Sequence, residues 1–139
     1  MVQKKSKKVL IICSDFYKEI SDNLLKGSET YLKDQKVLYD KKKVLGSLEI
    51  PIIFNKFLND YSGFIVLGCI IKGETDHYQI VKDICYQNIY SIAYKNCIPL
   101  GSAILTVNNY EQAKERSLPD KKNLGQRAAI VCCDLMNKV

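Results

Sequence analysis

The sequence predicts an α/β fold in which a parallel sheet of four strands carries helices on both faces. Short, continuously apolar runs such as YSGFIVLGCII are typical of strands that are buried on both sides. These runs alternate along the chain with longer segments in which apolar residues recur at helical spacing. Because such alternation favours right-handed crossovers, successive strands are expected to run parallel in one sheet.

The first half of the chain predicts two strands and two helices. KKVLIIC forms the first strand, and a helix follows from about Lys18. The second strand is expected near residues 36–39, the KKK run after it is interpreted as a turn, and Pro51 suits the first turn of the helix PIIFNKFLNDY. The residues predicted on the inner face of the first helix are Ile20, Leu24, Leu25, Ser28 and Leu32.

The second half predicts two further strands and three helices. YSGFIVLGCII is the third strand, and a long helix is expected from residue 75 or 76 to about 96. PLGSAILTV is the fourth strand, NYEQAKERS is a short helix with an asparagine cap, and a last helix begins at about Leu124. The residues expected to face inward are Ile80, Val81, Ile84, Cys85, Ile89 and Ile92 in the long helix, and Ala128, Val131, Cys132 and Leu135 in the last.

The length and composition indicate a single globular domain over residues 1–139, with a basic tail at residues 1–7. A chain of 139 residues with 47% hydrophobic and 26% charged residues can bury a core and is not typical of a disordered protein. The apolar run near the N-terminus stops after about five residues, too few for a signal peptide, so a cytoplasmic location is expected. No apolar run is long enough for a bilayer, so no membrane partner is expected.

The cysteines and the lysine runs favour structural roles. None of the six cysteines forms a CxxC pair and five lie in apolar patterns, which indicates reduced, buried thiols. One histidine and scattered cysteines give no zinc-ligand spacing, so no metal is expected. The net charge of +6 comes largely from lysines at residues 4–8 and 41–43. Such runs attract anions or nucleic acid, but no interleaved aromatic residues accompany them, so solvated tails and turns are the better interpretation.

The segment KGETDH holds the only histidine of the chain and follows the third predicted strand. Ligands of open parallel sheets bind beyond the carboxyl ends of the strands, so this segment is a candidate site. The amides of Gly73, Glu74 and Thr75 at a helix N-terminus would suit a phosphate. His77 beside them carries an imidazole, the side chain most often used for proton transfer, and would transfer protons there. The alternative is a capped helix with a surface histidine.

Three further residues each have a functional and a structural interpretation. Glu49 precedes a helix, where the helix dipole favours a carboxylate, but it would also accept hydrogen bonds from ligand hydroxyls. Arg116 is either an exposed helix residue or a clamp on a phosphate. Phe16 is either a core residue or a surface on which a ring stacks. None of the three decides the function alone.

Taken together and in order, SDFYKEISDNLLKGS, VLGSLEIP, GCIIKGETDHY, PLGSAILT and EQAKERS resemble the lumazine synthase family. The resemblance runs from about Lys8 to about Met136. Its most specific segment is GCIIKGETDHY, in which the family usually has proline at the position of Asp76. The resemblance implies a flavodoxin-like three-layer α/β/α sandwich with a four-stranded parallel sheet.

The resemblance also implies an enzyme of riboflavin biosynthesis. It would condense 5-amino-6-(D-ribitylamino)uracil, here the pyrimidine substrate, with 3,4-dihydroxy-2-butanone 4-phosphate, here the phosphate substrate. Phosphate and water would leave, 6,7-dimethyl-8-ribityllumazine would form, and neither a cofactor nor a metal would be needed. The sites would lie between neighbouring subunits of a homopentamer, and assemblies of ten and sixty subunits also occur in the family.

Residue by residue, the resemblance implies a role for each part of the motif. Phe16 would stack on the pyrimidine ring, Glu49 would bind the ribityl hydroxyls, and His77 would be the proton shuttle. The phosphate would be held by Gly73, Glu74, Thr75 and Arg116, with Arg116 coming from the adjacent subunit. The positions implied to lie against the substrates are Phe16, Ser47, Leu48, Glu49, Ile70, Ile71, Lys72, Ser102 and Leu124.

The chain departs from the family pattern at three positions. Ser102 stands where the family commonly has phenylalanine, and Leu124 stands where it usually has a lysine, which the adjacent Lys121 or Lys122 would replace. Arg127 stands where the family often has a glutamate. These departures keep a second function open, a shell-forming or flavin-like-ligand-binding protein of the same fold with little or no catalysis.

Overall fold

The sheet contains four parallel strands in the order β2–β1–β3–β4. The computed structural model of the protein describes residues 7–74 and 76–139. Every residue of β1 and β3 is buried, because these strands occupy the middle of the sheet and are covered on both faces. The strands are β1 (Val9–Ser14), β2 (Tyr39–Val44), β3 (Gly63–Ile71) and β4 (Leu100–Val107).

Helices cover both faces of the sheet and form two separate cores. Alternate residues of β1 point to opposite faces, so Ile11 packs in the core under α1 and α5, whereas Leu10 and Ile12 pack in the core under α2 and α3. This arrangement confirms the predicted three-layer α/β/α sandwich. No helix of the described residues is long and apolar enough to cross a lipid bilayer. The helices are α1 (Lys18–Asp34), α2 (Ile50–Lys56), α3 (Tyr78–Asn96), α4 (Tyr110–Ser117) and α5 (Leu124–Met136), with a short 3-10 helix at Ser47–Glu49.

Several local predictions about the helices are confirmed. All five residues expected on the inner face of α1 are buried. Pro51 lies in the first turn of α2. The side chain of Asn109 caps α4 by accepting a hydrogen bond of 2.9 Å from the Gln112 amide. Helix α2 ends at Lys56, earlier than predicted, because the chain turns over the next residues to reach β3.

The prediction for the second strand is wrong. Strand β2 occupies Tyr39–Val44 and includes the KKK run that was expected to form a turn, while Lys36, with φ of +58°, belongs to the turn after α1. The lysines pair with β1, for example Lys41 with Ile11. Because β2 is an edge strand whose side chains are mostly exposed, it lacks the apolar pattern of a buried strand, and its lysines discourage pairing with other edges.

The predicted start and inner face of the long helix also need correction. Helix α3 begins at Tyr78 rather than at residue 75 or 76. Cys85 and Ile89 are buried as expected, but Ile80 is 56% exposed and Ile84 is 45% exposed. A helix on a sheet presents one stripe of side chains to it, and these two isoleucines lie beside that stripe. Val81 and Ile92 are partly buried.

The cysteines are reduced thiols, and four of the six are buried. The exceptions are Cys97, which is exposed, and Cys133, which is half-buried, so the prediction of buried thiols is wrong for these two. Burial raises the pKa of Cys69 and of Cys85 to about 12. Both thiols are therefore protonated at neutral pH and act as weak hydrogen-bond donors.

Candidate active site

A cleft of about 290 Å³ opens where β1 and β3 end. This is the edge at which parallel sheets bind ligands. Its walls come from the turn after β1, the segment after β2, the end of β3 and the first turn of α3. Its volume suits one small ring with a substituent. The residues that line it are Phe16, Tyr17, Leu45, Gly46, Ser47, Leu48, Glu49, Cys69, Ile70 and Val81.

The cleft brings together five residues that the sequence places against a substrate. Phe16 is 63% exposed, and its ring packs edge-on against Tyr17 with the centroids 4.9 Å apart. One face of the Phe16 ring is therefore available for stacking. Leu48 and Glu49 are also exposed. Ser47 and Ile70 complete the set, and the roles predicted for these residues stay predictions with which the geometry agrees.

The 3-10 segment Ser47–Glu49 packs closely against β3 because residue 68 is a glycine. A Cβ atom on Gly68 would lie 2.9 Å from the Ser47 Oγ and 3.3 Å from the Ser14 Cβ. Any side chain there would push the segment out of the cleft wall. The carbonyl of Ser47 accepts a hydrogen bond of 3.3 Å from the thiol of Cys85 in α3, so the segment is tied to the helix as well as to the sheet.

Lys72, Gly73 and Glu74 form a tight turn after β3. The Glu74 amide donates to the Ile71 carbonyl at 3.3 Å, and Gly73 has φ of +87°, a conformation that strongly favours glycine. The Lys72 amide donates to the Val107 carbonyl of β4 at 2.9 Å. The amides of this turn therefore precede α3 instead of forming its first turn, which corrects the predicted geometry. Thr75 lies outside the described residues.

His77 is the N-cap residue of α3 and is exposed. Its carbonyl accepts from the Val81 amide at 2.8 Å, and its side chain makes no capping hydrogen bond. The expectation that His77 lies inside the first helical turn is thus wrong by one position. Because Val81 lines the cleft one turn later, His77 stands at the end of α3 nearest the cleft, with its side chain exposed.

The other predicted site residues lie away from this cleft within the chain. The side chain of Ile71 is buried in the core under α1 and α5, so that only its backbone is left for a ligand. Ser102 lies in β4 opposite Val66, with a buried Oγ that has no hydrogen-bond partner among the described residues. Leu124 packs against the α1–α5 core. Arg116, in the last turn of α4, is half-buried and forms no salt bridge with a described residue.

Five residues that line the cleft were not predicted as site residues. Leu45 and Gly46 precede the 3-10 segment, Tyr17 follows Phe16, and Cys69 precedes Ile70. Their proximity in sequence to predicted residues was the one available signal. Val81 comes from α3, and its helical spacing of four from His77 could have indicated it.

The cleft offers one exposed aromatic ring, aliphatic walls and one carboxylate, with an imidazole nearby. Groups of these kinds suit a planar ring that carries hydroxyl groups, and an imidazole suits proton transfer. Among residues 7–74 and 76–139, no cluster of three or more histidine, cysteine or acidic side chains could hold a metal ion.

The fold and the cleft define a flavodoxin-like α/β protein with a cleft at the carboxyl ends of its strands, where parallel sheets bind ligands. Comparison with known proteins makes the assignment specific. The model of the 6,7-dimethyl-8-ribityllumazine synthase family matches residues 6–139, and the chain belongs to this family.

Relatives in this family match nearly the whole chain. A 6,7-dimethyl-8-ribityllumazine synthase of Paramagnetospirillum magneticum is 40% identical over 138 residues, which cover 93% of this chain and 92% of the relative. The corresponding protein of Bartonella tribocorum is 42% identical, with coverage of 91% and 85%. That of Agrobacterium fabrum is 36% identical, with coverage of 94% and 95%. The resemblance found in the sequence motifs is confirmed.

Proposed function

We propose that the protein is a 6,7-dimethyl-8-ribityllumazine synthase that joins the pyrimidine substrate to the phosphate substrate in riboflavin biosynthesis. The observation that carries the proposal is the match of the family over residues 6–139, together with a cleft that contains Phe16, Glu49 and Ile70. The ring of the pyrimidine substrate fits between Phe16 and Ile70. The ribityl chain then extends toward the 3-10 segment, where Glu49 accepts hydrogen bonds from its hydroxyls.

The reaction needs proton transfers, which we assign to His77. Condensation of an amine with a ketone first loses water to give an imine, and phosphate leaves in a later step. An imidazole near neutral pH both donates and accepts protons, so one residue serves the successive steps. The other contribution of the protein is to hold two substrates in register, which replaces a bimolecular encounter by a reaction within the site.

Mixing the purified protein with both substrates tests the proposal. The absorbance and fluorescence of the lumazine should appear faster than in a matched mixture without protein, and phosphate should be released in equal amount. A rate equal to the uncatalysed reaction would refute the proposal. Tight binding of the pyrimidine substrate without product would instead favour the non-catalytic alternative.

We also propose that the protein forms a homopentamer with its sites between neighbouring subunits. Two features support this. Arg116 is not among the residues that line the cleft of its own chain, which agrees with a phosphate clamp that takes its arginine from a second copy. Ile80 and Ile84 expose apolar surface on α3, and Ile52 does so on α2. A second copy would cover this surface.

Sedimentation velocity tests this proposal and should give a mass of five chains or of a multiple of five. A monomer at micromolar concentration would contradict the proposal.

A cytoplasmic location is part of the proposal. All six cysteines are free, and such thiols persist in reducing compartments. Fractionation of cells that produce the tagged full chain should recover it with cytoplasmic markers, and recovery with exported proteins would contradict this location.

The Arg116→Ala variant is expected to bind the phosphate substrate more weakly. Arginine holds phosphate through charge-assisted hydrogen bonds, so its loss should raise the Michaelis constant for the phosphate substrate about tenfold or more. The constant for the pyrimidine substrate should stay the same. Steady-state kinetics with each substrate varied in turn would measure both. Lys114→Ala removes a cation from the same helix and is the matched control; an equal effect in both variants would show that only net charge matters.

A further inference from the structure

The thiol of Cys85 forms a side-chain hydrogen bond that joins α3 to the cleft wall. Cys85 is fully buried, and its Sγ lies 3.3 Å from the carbonyl oxygen of Ser47. Since the thiol stays protonated far above neutral pH, it donates the hydrogen bond and the carbonyl accepts it. The bond spans 38 residues of sequence and connects two elements that both line the cleft.

This hydrogen bond bears on the orientation of the 3-10 segment. The Ser47 carbonyl accepts at the same time from the Ile50 amide, so both of its lone pairs are used. Because the peptide is planar and trans, a Ser47 carbonyl directed at Cys85 turns the Leu48 N–H to the opposite side, away from Cys85. Glu49 follows directly and is exposed at the cleft. A rotation of this peptide would therefore move the Leu48 amide and the Glu49 carboxylate together.

The contacts around Ser47 leave the Cys85 thiol to hold the 3-10 segment against α3. On the sheet side, Gly68 offers no side chain to hold Ser47, and the Ser47 Oγ has no hydrogen-bond partner among the described residues. On the helix side, the thiol sits on α3 two turns after His77. The Cys85 thiol therefore links the segment that carries Glu49 to the helix that begins after His77.

We propose that Cys85 is a positioning residue for the pyrimidine substrate, holding Ser47–Glu49 in the orientation that presents Leu48 and Glu49 to the ribityl chain. The inference rests on the proposed function, because that function supplies the ligand of the segment. It differs from a packing role, in which Cys85 would fill space under the segment and affect stability alone. A packing role predicts lower stability with unchanged substrate affinity.

Three variants separate positioning from packing. Cys85→Ala removes the donor and Cys85→Ser keeps a donor of similar shape. Ile89→Val removes a methylene from the next turn of α3, in the same core, and leaves the Cys85–Ser47 hydrogen bond in place. We expect Cys85→Ala to raise the Michaelis constant of the pyrimidine substrate about fivefold, as the loss of one hydrogen bond does. Cys85→Ser should stay within about twofold of the parent enzyme, and Ile89→Val should leave the constant unchanged although it lowers the unfolding midpoint.

The outcomes distinguish this inference from the proposed function. If the parent protein shows no turnover with both substrates, the proposed function fails. If the parent protein is active and Cys85→Ala leaves the pyrimidine constant unchanged, or Ile89→Val raises it equally, the positioning role fails. An infrared difference spectrum between the parent protein and Cys85→Ala reports on the bond without any substrate. The S–H stretch assigned to Cys85 should lie at the lower frequency typical of a bonded thiol, and an unbonded frequency would overturn the inference.

Discussion

Replacing His77 by alanine is expected to lower kcat by about a hundredfold without unfolding the protein. General acid–base catalysis contributes about 10²–10⁴ to a rate, and the lower end applies because an exposed imidazole is partly replaced by water. The side chain makes no capping hydrogen bond, while the backbone carbonyl that binds the Val81 amide is untouched by the substitution. The Michaelis constants of both substrates should change little, since the lost interaction acts in the proton-transfer steps.

Steady-state kinetics with the uncatalysed rate subtracted would measure this effect. Gln87→Ala changes another exposed residue of α3 and should behave like the parent enzyme. Because His77 is open to solvent, free imidazole should restore part of the lost rate in His77→Ala and none in Gln87→Ala. A kcat within threefold of the parent value would show that His77 is a surface cap residue, which is the alternative that the sequence left open.

Burial on both faces made three strands predictable from sequence. The apolar runs of β1, β3 and β4 carry their own signal, because every residue of β1 and β3, and most of β4, is buried. Strand β2 carries no such signal, since Lys41, Lys42 and Lys43 are exposed and the strand exists through its backbone pairing with β1. That pairing is a tertiary interaction, and no local pattern of charges predicts it.

The residues of the cleft also fall into a group that the sequence predicts and a group that it does not. Phe16 and Glu49 follow strand ends and Ile70 lies in the last residues of β3. The parallel topology brings these ends to one edge, so their proximity followed from the predicted fold. Leu45 and Val81 lie near them because the 3-10 segment and α3 pack together, which depends on Gly68 and Cys85. Such packing depends on how side chains from different elements fit together. It produces no periodic pattern in a single sequence, so the sequence alone does not predict it.

The exposed isoleucines of α3 show a third limit of the sequence pattern. The apolar residues of this helix spread over a wide arc, and the sequence alone assigned all of them to one inner face. In the folded chain, Cys85 and Ile89 meet the sheet while Ile80 and Ile84 remain exposed. A periodic pattern shows how wide the apolar face of a helix is. It does not show whether that face contacts the rest of the same chain or another copy.

Substitution of Gly101 by alanine is expected to lower the free energy of unfolding by about 3 kcal/mol or more. Gly101 lies in β4, and α5 packs directly on the strand backbone at this point. A Cβ atom there would lie 1.7 Å from the carbonyl oxygen of Ala128 and 2.6 Å from its carbonyl carbon. Both atoms belong to the backbone of a helix, so no side-chain rotation relieves the contact. Helix α5 must therefore shift as a whole, which opens the core that it shares with α1.

Urea unfolding of Gly101→Ala and Gly46→Ala would test this expectation. Equal protein concentrations keep the comparison independent of the proposed subunit association, which would make stability depend on concentration. Gly46 has extended φ of −142°, and a Cβ atom there would meet the Glu49 Oε1 at 3.2 Å, a flexible side-chain end that can move aside. Its stability should change by less than about 1 kcal/mol. If both variants unfold at the same urea concentration as the parent protein, α5 does not rest on the β4 backbone at Gly101. If Gly101→Ala instead fails to accumulate as folded protein while Gly46→Ala is normal, the close approach of α5 to β4 is required for the fold itself.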